Sequence, residues 1–341
     1  MKKNVYIILV SILVILSTSC LDEKTLELHS FNGGTMGTTY NIKIVKDSYP
    51  LLIDYVSIQP KVDSILLDIN RMMSTYLPNS EISTFNSSID TTWTTVSKDF
   101  AFVVDASLKM GYLSHGALDI TVGPVVNLWG FGPGGAPSII PEQSAIDEKI
   151  KLVGLDKILA DTLESKIKKK SPLVYCDLSA TAKGFGVDMI GQFLKSVGAV
   201  RFMVEIGGEV TTSGLNHRGD KWVIGVADPN TTNNIQKIVN LSNYSMATSG
   251  DYWNYFEENG IRYSHTIDPK TGRPITHKLA SVSVIDPSCM MADGYATAIN
   301  VLGPEKGYDF ALENYLPVFL IIKDKEEFII KMTPQFEAFI K

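Results

Sequence analysis

Cysteine, histidine and basic charge are all scarce in this chain of 341 residues. It contains three cysteines and five histidines, and its 31 lysines and arginines face 37 acidic residues, which leaves a net charge of −6. So few cysteines cannot build a disulfide framework in a chain of this length. A nucleic-acid binder needs a basic footprint, so the acidic balance argues against a nucleic-acid partner.

Long apolar runs are also missing, except at the start of the chain. Lys2 and Lys3 precede an apolar run from Val5 to Leu16, which has the length of a signal-peptide core and is too short to span a bilayer. Small residues then lead to Cys20, in an arrangement that resembles the lipobox of bacterial lipoproteins. The start of the chain therefore predicts export with a lipid on Cys20, and plain secretion is the alternative.

These features divide the chain into three parts. We predict a lipoprotein signal peptide at 1–19, a polar tether at 20–33 and one folded domain at 34–341. The predicted location is outside the cytoplasm, on the periplasmic side of the inner or outer membrane, where the lipid would anchor the protein.

The folded part shows no internal repeat, but 45% hydrophobic residues allow it to bury a full core. Apolar residues at helical spacing predict helices at 58–73, 99–114, 187–197 and 290–302. Alternating or short apolar runs predict strands at 40–44, 173–176, 200–206, 221–227, 235–242, 262–267 and 281–286, and a final pair of strands at 317–332. We expect a loop at 123–141 and a solvated turn at 166–170. Strands with hairpin-length connections and a few helices indicate an α+β fold with mixed or antiparallel sheets.

Two oxygen-bearing side chains lie four residues apart on the last predicted helix. Asp293 and Thr297 would therefore emerge from one helix face about a turn apart. Hard oxygen ligands at this spacing suit Mg²⁺, which often keeps waters or substrate phosphates in its other positions. Taken alone, the pair is more often solvated or involved in capping.

The segment from Asp177 to Gly184 follows a predicted strand and leads into a helix. Its small residues, helix-start amides and Lys183 could cradle a phosphate, although no Walker pattern is present. Ordinary capping of the helix by Asp177 or Ser179 is the alternative.

His265 ends another predicted strand just before a turn. Its pKa range makes it a candidate general base, and a hydrogen-bonded structural histidine is the alternative. The glycines at 207–208 and 250 indicate turns or a close approach of the backbone.

Together and in chain order, these segments resemble the ApbE family, the FAD:protein FMN transferases, from about residue 31 to the C-terminus. The resemblance rests on eight groups of residues: 36–40, 73–86, 118–132, 177–184, 207–209, 248–251, 263–274 and 292–297. It implies a flavin transferase fold related to the T-fold for residues 34–341.

The resemblance also implies a site for Mg²⁺ and FAD. The metal would be held by Asp293, which is also a catalytic residue, by Thr297 and by the main-chain carbonyl of Ala180. Residues matching the family's FAD contacts are Met36, Tyr76, Ala117, Leu118, Asp119, Asp177, Lys183 and Ile267. Some members have an acidic residue at the position of Lys183, and a lysine there would favour the FAD pyrophosphate.

The implied reaction moves FMN from FAD to a Thr or Ser hydroxyl of a target protein and releases AMP. His265 is the candidate base for that hydroxyl. The implied target carries a sequence of the type Asp-x-x-Ser/Thr-Gly-Ala-Thr and is expected to be a subunit of a membrane redox complex. Two alternatives remain: a Mg²⁺-dependent pyrophosphatase that gives FMN and AMP from FAD, and a lipoprotein that binds flavin without chemistry.

Overall fold

The computed structural model describes residues 26–47, 50–135, 140–229, 231–250, 255–258, 261–325 and 327–340. The predicted signal peptide and Cys20 lie outside these ranges. In the described ranges, no helix is both long enough and apolar enough to cross a membrane.

Helices and strands alternate along the chain. The helices that the described residues form are α1 (Tyr55–Met73), α2 (Glu81–Ser87), α3 (Lys98–Leu113), α4 (Gly123–Leu128), α5 (Gln143–Ile150), α6 (Ala182–Ser196), α7 (Cys289–Glu313) and α8 (Pro334–Glu337). The first nine strands are β1 (Leu28–Thr35), β2 (Thr38–Val45), β3 (Thr94–Thr95), β4 (Ile158–Asp161), β5 (Lys166–Lys169), β6 (Phe202–Ile206), β7 (Glu209–Ser213), β8 (Trp222–Asp228) and β9 (Thr231–Leu241). The later strands are β10 (Ser245–Gly250), β11 (Tyr255–Glu258), β12 (Ile261–Ser264), β13 (Ile267–Asp268), β14 (Arg273–Pro274), β15 (Leu279–Asp286), β16 (Val318–Asp324) and β17 (Glu327–Met332).

An eight-stranded sheet forms the centre of the fold, in the order β1-β2-β6-β7-β10-β15-β16-β17. Each neighbouring pair is antiparallel. Small sheets flank it, formed by β3-β5-β4, β8-β9, β11-β12 and β13-β14. The predicted α+β class with antiparallel sheets is therefore confirmed.

Three helices bury their apolar faces beside this sheet. Ile58, Val62 and Leu66 of α1 recur every four residues and join a buried cluster with residues of β2 and α6. Helix α7 packs its alanines against β10 and β15, and it bends at Gly303, whose φ of 80° is not helical. The helix predicted at 290–302 is thus the part of α7 before the bend.

The strand β1 corrects the predicted tether. Residues 28–33 were expected to be a polar linker, but they pair with β2 along its whole length. Gly33 makes this possible, because a Cβ at Gly33 would lie 2.6 Å from the ring of the buried Tyr40. The hairpin turns at Met36 and Gly37, which both have positive φ, as a type I′ turn requires.

Three other local predictions are wrong. The expected loop at 123–141 contains helix α4, which Pro124 can begin because the first helical position needs no N–H donor. Residues 173–176 form no strand, because the Asn86 side chain bonds the Cys176 backbone in place of a neighbouring strand. The expected solvated turn at 166–170 is strand β5, and Lys169 within it is buried.

Candidate active site

The start of α7 is held against α6 by one half-buried carboxylate. Asp188 accepts hydrogen bonds from Ser288 Oγ and from the backbone N–H groups of Cys289 and Met290, at 2.7, 2.8 and 3.0 Å. Gly184 lets the two helices approach closely, because a Cβ there would lie 2.4 Å from the carbonyl oxygen of Cys289. The first turns of α6 and α7 therefore have a defined relative position.

Asp293 lies one turn into α7 and is 5% exposed. Its Oδ2 accepts a hydrogen bond from the backbone N–H of Gly184 at 3.0 Å. Burial raises the pKa of Asp293 to about 6, while the charge of Lys183 opposes that rise. Thr297, half-buried, follows one turn later on the same face of the helix.

Lys183 begins α6 beside this carboxylate, but its ammonium pairs with a different acid. Lys183 Nζ lies 2.7 Å from Oε1 of Glu209, the first residue of β7. Glu209 is 1% exposed. Burial alone would lower the pKa of Lys183, but the charges of Asp293 and Glu209 raise it. Two buried acids therefore share one cation.

Met36 approaches the same helix from the β1–β2 turn. A Cβ at Gly186 would lie 3.2 Å from the end of the Met36 side chain and 3.5 Å from Ile206. Met36 has a φ of 50°, which is strained for a residue with a side chain, so the turn presents it to α6 at some cost.

The segment 117–121 packs against α7. Ala117 and Leu118 are buried in the same cluster as Ala292 and Ala296 of α7. Asp119 is buried and accepts hydrogen bonds from the N–H and hydroxyl of Thr121, and burial raises its pKa. The segment that carries this acid therefore packs against the helix of Asp293.

Asp177 is attached to the segment 117–121 through its backbone. Its N–H donates to the carbonyl of Ile120 at 2.7 Å, and its carboxylate accepts from Ser179 N. The preceding Cys176 is held by both ends of the Asn86 amide, at 2.7 and 2.8 Å. Lys169 then donates to the carbonyls of Phe85 and Asn86.

Three ring-bearing residues, Tyr76, Phe131 and His265, form a further group. The Tyr76 hydroxyl reaches within 3.5 Å of the carbonyl of Phe131, whose ring meets His265 edge to face at 6.4 Å. Tyr76 is exposed, and His265 is half-buried. Asn300 of α7 donates to Thr266 at 3.3 Å, which ties the strand segment containing His265 to the helix of Asp293.

Helix α7 thus connects the regions in which the predicted site residues lie. Asp293 touches the start of α6, Ala292 and Ala296 share a cluster with Ala117 and Leu118, and Asn300 holds Thr266. Ile267 is buried beside Trp129, next to this strand segment. Ala180 packs at the edge of the α7 cluster.

The donor chemistry limits which metal could bind. In the described part of the chain, no three His, Cys, Asp or Glu side chains gather as a possible metal site. A metal near Asp293 would depend on one carboxylate, neutral oxygens and the phosphates of a ligand. That set suits Mg²⁺ better than Zn²⁺, which prefers nitrogen and sulfur. Cys176 and Cys289 are both buried and unpaired.

Several residues of this region were not predicted from the sequence. Buried Glu209 pairs with Lys183, half-buried Asn86 bonds the backbone of Cys176 next to Asp177, and half-buried Asp188 bonds the start of α7. The first two lie inside motifs that carried the family resemblance, which was the available signal. Asp188 had no such signal, because an acid within a helix is usually solvated.

An antiparallel sheet backed by helices, with a buried acid, a lysine and oxygen donors together, defines a protein suited to bind a phosphate-bearing ligand. The chain belongs to the ApbE family, because the model of that family matches residues 36–320.

Similar proteins cover almost the whole chain. A protein of Haemophilus influenzae named FAD:protein FMN transferase is 42% identical over 99% of this chain and 98% of its own length. The solved structure of the flavin transferase ApbE from Vibrio cholerae superposes with a TM-score of 0.85 at 40% identity, covering 92% of this chain and all of the other. The apo flavinyl transferase ApbE of Pseudomonas stutzeri also gives 0.85, at 35% identity, covering 92% of this chain and 97% of its own.

Proposed function

We propose that this chain transfers the FMN part of FAD to a hydroxyl group of a target protein. The observation that carries the proposal is membership of the ApbE family over nearly the full length, with relatives named FAD:protein FMN transferase. The buried Asp293 beside Lys183 supports it, because transfer of a phosphate group requires neutralisation of negative charge.

Mg²⁺ would be held by Asp293, Thr297 and the main-chain carbonyl of Ala180. An oxygen-only donor set with a single carboxylate supports this choice, since Mg²⁺ commonly uses one or two carboxylates together with substrate phosphates. When bound, the ion offsets charge on the bridging and leaving oxygens of the pyrophosphate.

The other proposed contacts hold FAD. Lys183 would bind the pyrophosphate, and Met36 and Tyr76 would contact the flat ring system of FAD. Asp119 and Asp177 would accept hydrogen bonds from ring amino or hydroxyl groups. Ala117, Leu118 and Ile267 would close the site with apolar surface and backbone atoms. The packing of Ala117 and Leu118 against α7, and the bond from Asn300 of α7 to Thr266 beside Ile267, support these roles.

His265 would take the proton from the attacking Thr or Ser hydroxyl. The hydroxyl oxygen forms a bond to the FMN phosphorus while the bond from that phosphorus to the bridging oxygen breaks, and AMP leaves with that oxygen. The half-buried position of His265 beside the ring of Phe131 supports this role. Because such transfers are largely dissociative, the contribution of the base is expected to be modest.

The rest of the proposal concerns location and partner. The lipobox-like start of the chain supports a lipid anchor on Cys20 and a position on the periplasmic side of a membrane. A target with an Asp-x-x-Ser/Thr-Gly-Ala-Thr type sequence in a membrane redox complex would meet the enzyme there.

The test incubates the purified protein with FAD, Mg²⁺ and a domain that bears the target sequence, followed by intact mass measurement of that domain. A gain of one FMN, with release of AMP, is expected. Free FMN and AMP with an unmodified acceptor would instead identify a pyrophosphatase, and unchanged FAD would identify a flavin-binding protein.

Removal of the metal ligand supplies the control. Asp293→Ala is expected to abolish transfer and leave the fold largely intact, and EDTA should stop the unaltered protein until Mg²⁺ is restored. Full activity of Asp293→Ala with Mg²⁺ would contradict the metal assignment.

A further inference from the structure

Two buried acids, Glu209 and Asp293, act on Lys183, but only Glu209 forms an ion pair with it among the described residues. The Lys183 ammonium lies 2.7 Å from Oε1 of Glu209. Burial lowers the pKa of Lys183, but the charges of Asp293 and Glu209 together raise it. The Lys183 ammonium therefore interacts electrostatically with Asp293, but its ion pair is with Glu209.

A glutamate is unusual at position 209, because the position is almost fully buried. Glu209 is 1% exposed, and its Oε2 is buried without a hydrogen-bond partner among the described residues. Leaving a buried carboxylate oxygen unpaired is unfavourable, so stability alone does not explain the residue. Its hairpin position at the start of β7, after Gly207 and Gly208, directs the side chain to Lys183.

Asp293 has one carboxylate oxygen that the protein leaves available. Its Oδ2 is occupied by the Gly184 N–H, whereas no hydrogen bond among the described residues reaches Oδ1. A lysine side chain is a compact charge on a flexible stem, so a small rotation could bring it to this free oxygen. In a buried environment such a pair would compete directly with a divalent cation for the same carboxylate.

We propose that Glu209 is a positioning residue that holds the Lys183 ammonium away from Asp293 and so keeps the Asp293 carboxylate available to a divalent cation. The inference rests on the metal site of the proposed function. It assigns to the Gly-Gly-Glu segment a role in metal affinity, and it explains why a lysine can lie beside a metal-binding acid.

The test measures binding of Mn²⁺, a hard paramagnetic ion that uses oxygen ligands, by electron paramagnetic resonance titration of the full chain with and without FAD. Glu209→Gln is expected to weaken Mn²⁺ binding by about 10-fold to 100-fold, as is typical when a residue that supports a metal ligand is removed. In the absence of FAD, whose pyrophosphate Lys183 is proposed to bind, Lys183→Met alone should bind Mn²⁺ at least as tightly as the unaltered chain.

The decisive sample combines both substitutions. In Glu209→Gln with Lys183→Met, no ammonium is left to occupy Asp293, so Mn²⁺ affinity should return to that of Lys183→Met. A residue that only stabilises the fold would give no such recovery. Unchanged affinity in Glu209→Gln, or no recovery in the combined variant, would overturn the inference.

Two further variants keep the outcome interpretable. Glu205 lies in the same hairpin, and its carboxylate accepts hydrogen bonds from Gly208 N and Asn41 Nδ2 rather than pairing with Lys183. Glu205→Gln removes this charge and should leave Mn²⁺ affinity unchanged. If Glu209→Gln fails to fold by thermal unfolding, Glu209→Asp keeps the charge on a shorter stem and is expected to give a smaller loss of affinity.

Asp293→Ala separates this inference from the metal assignment itself. If Asp293→Ala loses Mn²⁺ while Glu209→Gln retains it, only the role of Glu209 is wrong. If Asp293→Ala binds Mn²⁺ as well as the unaltered chain, the metal site of the proposed function is wrong, and the role of Glu209 is overturned with it.

Discussion

Asn86 replaces a missing neighbouring strand for the residues that lead to Asp177. Its amide accepts from the N–H of Cys176 and donates to the carbonyl of the same residue, as a paired strand would. Lys169 then holds the backbone of Phe85 and Asn86. The position of one proposed FAD contact therefore depends on side chains that are distant in sequence.

Asn86→Ala is expected to destabilise the fold and weaken FAD binding together. The variant leaves the N–H and C=O of the buried Cys176 unpaired, at about 1–3 kcal/mol for each group. Thermal unfolding and FAD titration measure the two effects. The neighbouring Ser87→Ala, at an exposed position, should change neither quantity. Normal FAD affinity in a destabilised Asn86→Ala would show that Asp177 is placed by other contacts.

Asp119→Asn is expected to stabilise the fold and weaken FAD binding. Burial raises the folded-state pKa of Asp119, so its contribution to stability is most favourable below the unfolded pKa and is lost as pH rises through the folded pKa. At pH 7 the ionised form is therefore a penalty, which Asn removes while it keeps an acceptor for Thr121. We expect a gain of about 0.5–2 kcal/mol in the free energy of unfolding.

The pH dependence provides the control for that variant. The advantage of Asn over Asp should shrink as the pH falls towards the raised pKa, because protonation then removes the penalty from the unaltered protein as well. Thermal unfolding of both proteins over a pH series measures this difference. An advantage that is constant with pH would mean that burial of the charge is not its cause.

At the scale of elements, the predicted site depends on the contact between α6 and α7. Asp188 caps the first turn of α7, and Gly184 allows the backbones to meet. Both helices were predicted from the sequence. Their closeness was not, because a capping carboxylate and a glycine contact are long-range features with no periodicity.

Gly184→Ala is expected to lower both stability and metal-dependent activity. Its Cβ would lie 2.4 Å from the carbonyl oxygen of Cys289, so the helices must separate and the bond from Gly184 N to Asp293 lengthens. Overpacking of this kind typically costs about 1–3 kcal/mol.

Gly191→Ala, on the same helix, is the matched control. Its Cβ would meet the Thr211 side chain at 3.3 Å, where a side chain can adjust more easily than a backbone. It should be far less damaging in thermal unfolding and in FMN transfer. Equal effects of the two substitutions would show that the contact between helices is not what positions Asp293.

The strands show where sequence patterns succeed and where they do not. Strands β2 and β8 alternate buried and exposed residues, and both were predicted. Strands β7 and β10 in the middle of the sheet were missed. All five residues of β7 are buried, and both strands are rich in Ser and Thr beside glycine, which reads as a turn.

At the scale of the whole molecule, the folded part continues the sheet from β1 at Leu28 to β17. The proposed lipid attachment at Cys20 would therefore lie only a few residues before the first strand. We expect the anchor to determine location without taking part in the chemistry.

Cys20→Ser is expected to move the exported protein from the membrane fraction to the soluble periplasmic fraction. Detergent phase separation of cell extracts measures this change, and flavin transfer by the purified variant should be within about twofold of the unaltered protein, since substitutions away from a site change little. Ser19→Gly keeps a small residue before the cysteine and should leave the protein membrane-bound. A Cys20→Ser protein that stays in the membrane fraction would contradict the lipid anchor.

The sequence by itself determined the class of fold, the family resemblance and the amphipathic elements, because each depends on local periodicity or on motifs read in order. Only the tertiary structure decided that β1 extends the sheet, that Asn86 holds the segment before Asp177 and that Lys183 pairs with Glu209 rather than Asp293. Those choices depend on which groups are buried together. Burial makes an unpaired charge or hydrogen-bonding group costly, and only a packed chain establishes which groups lose their water.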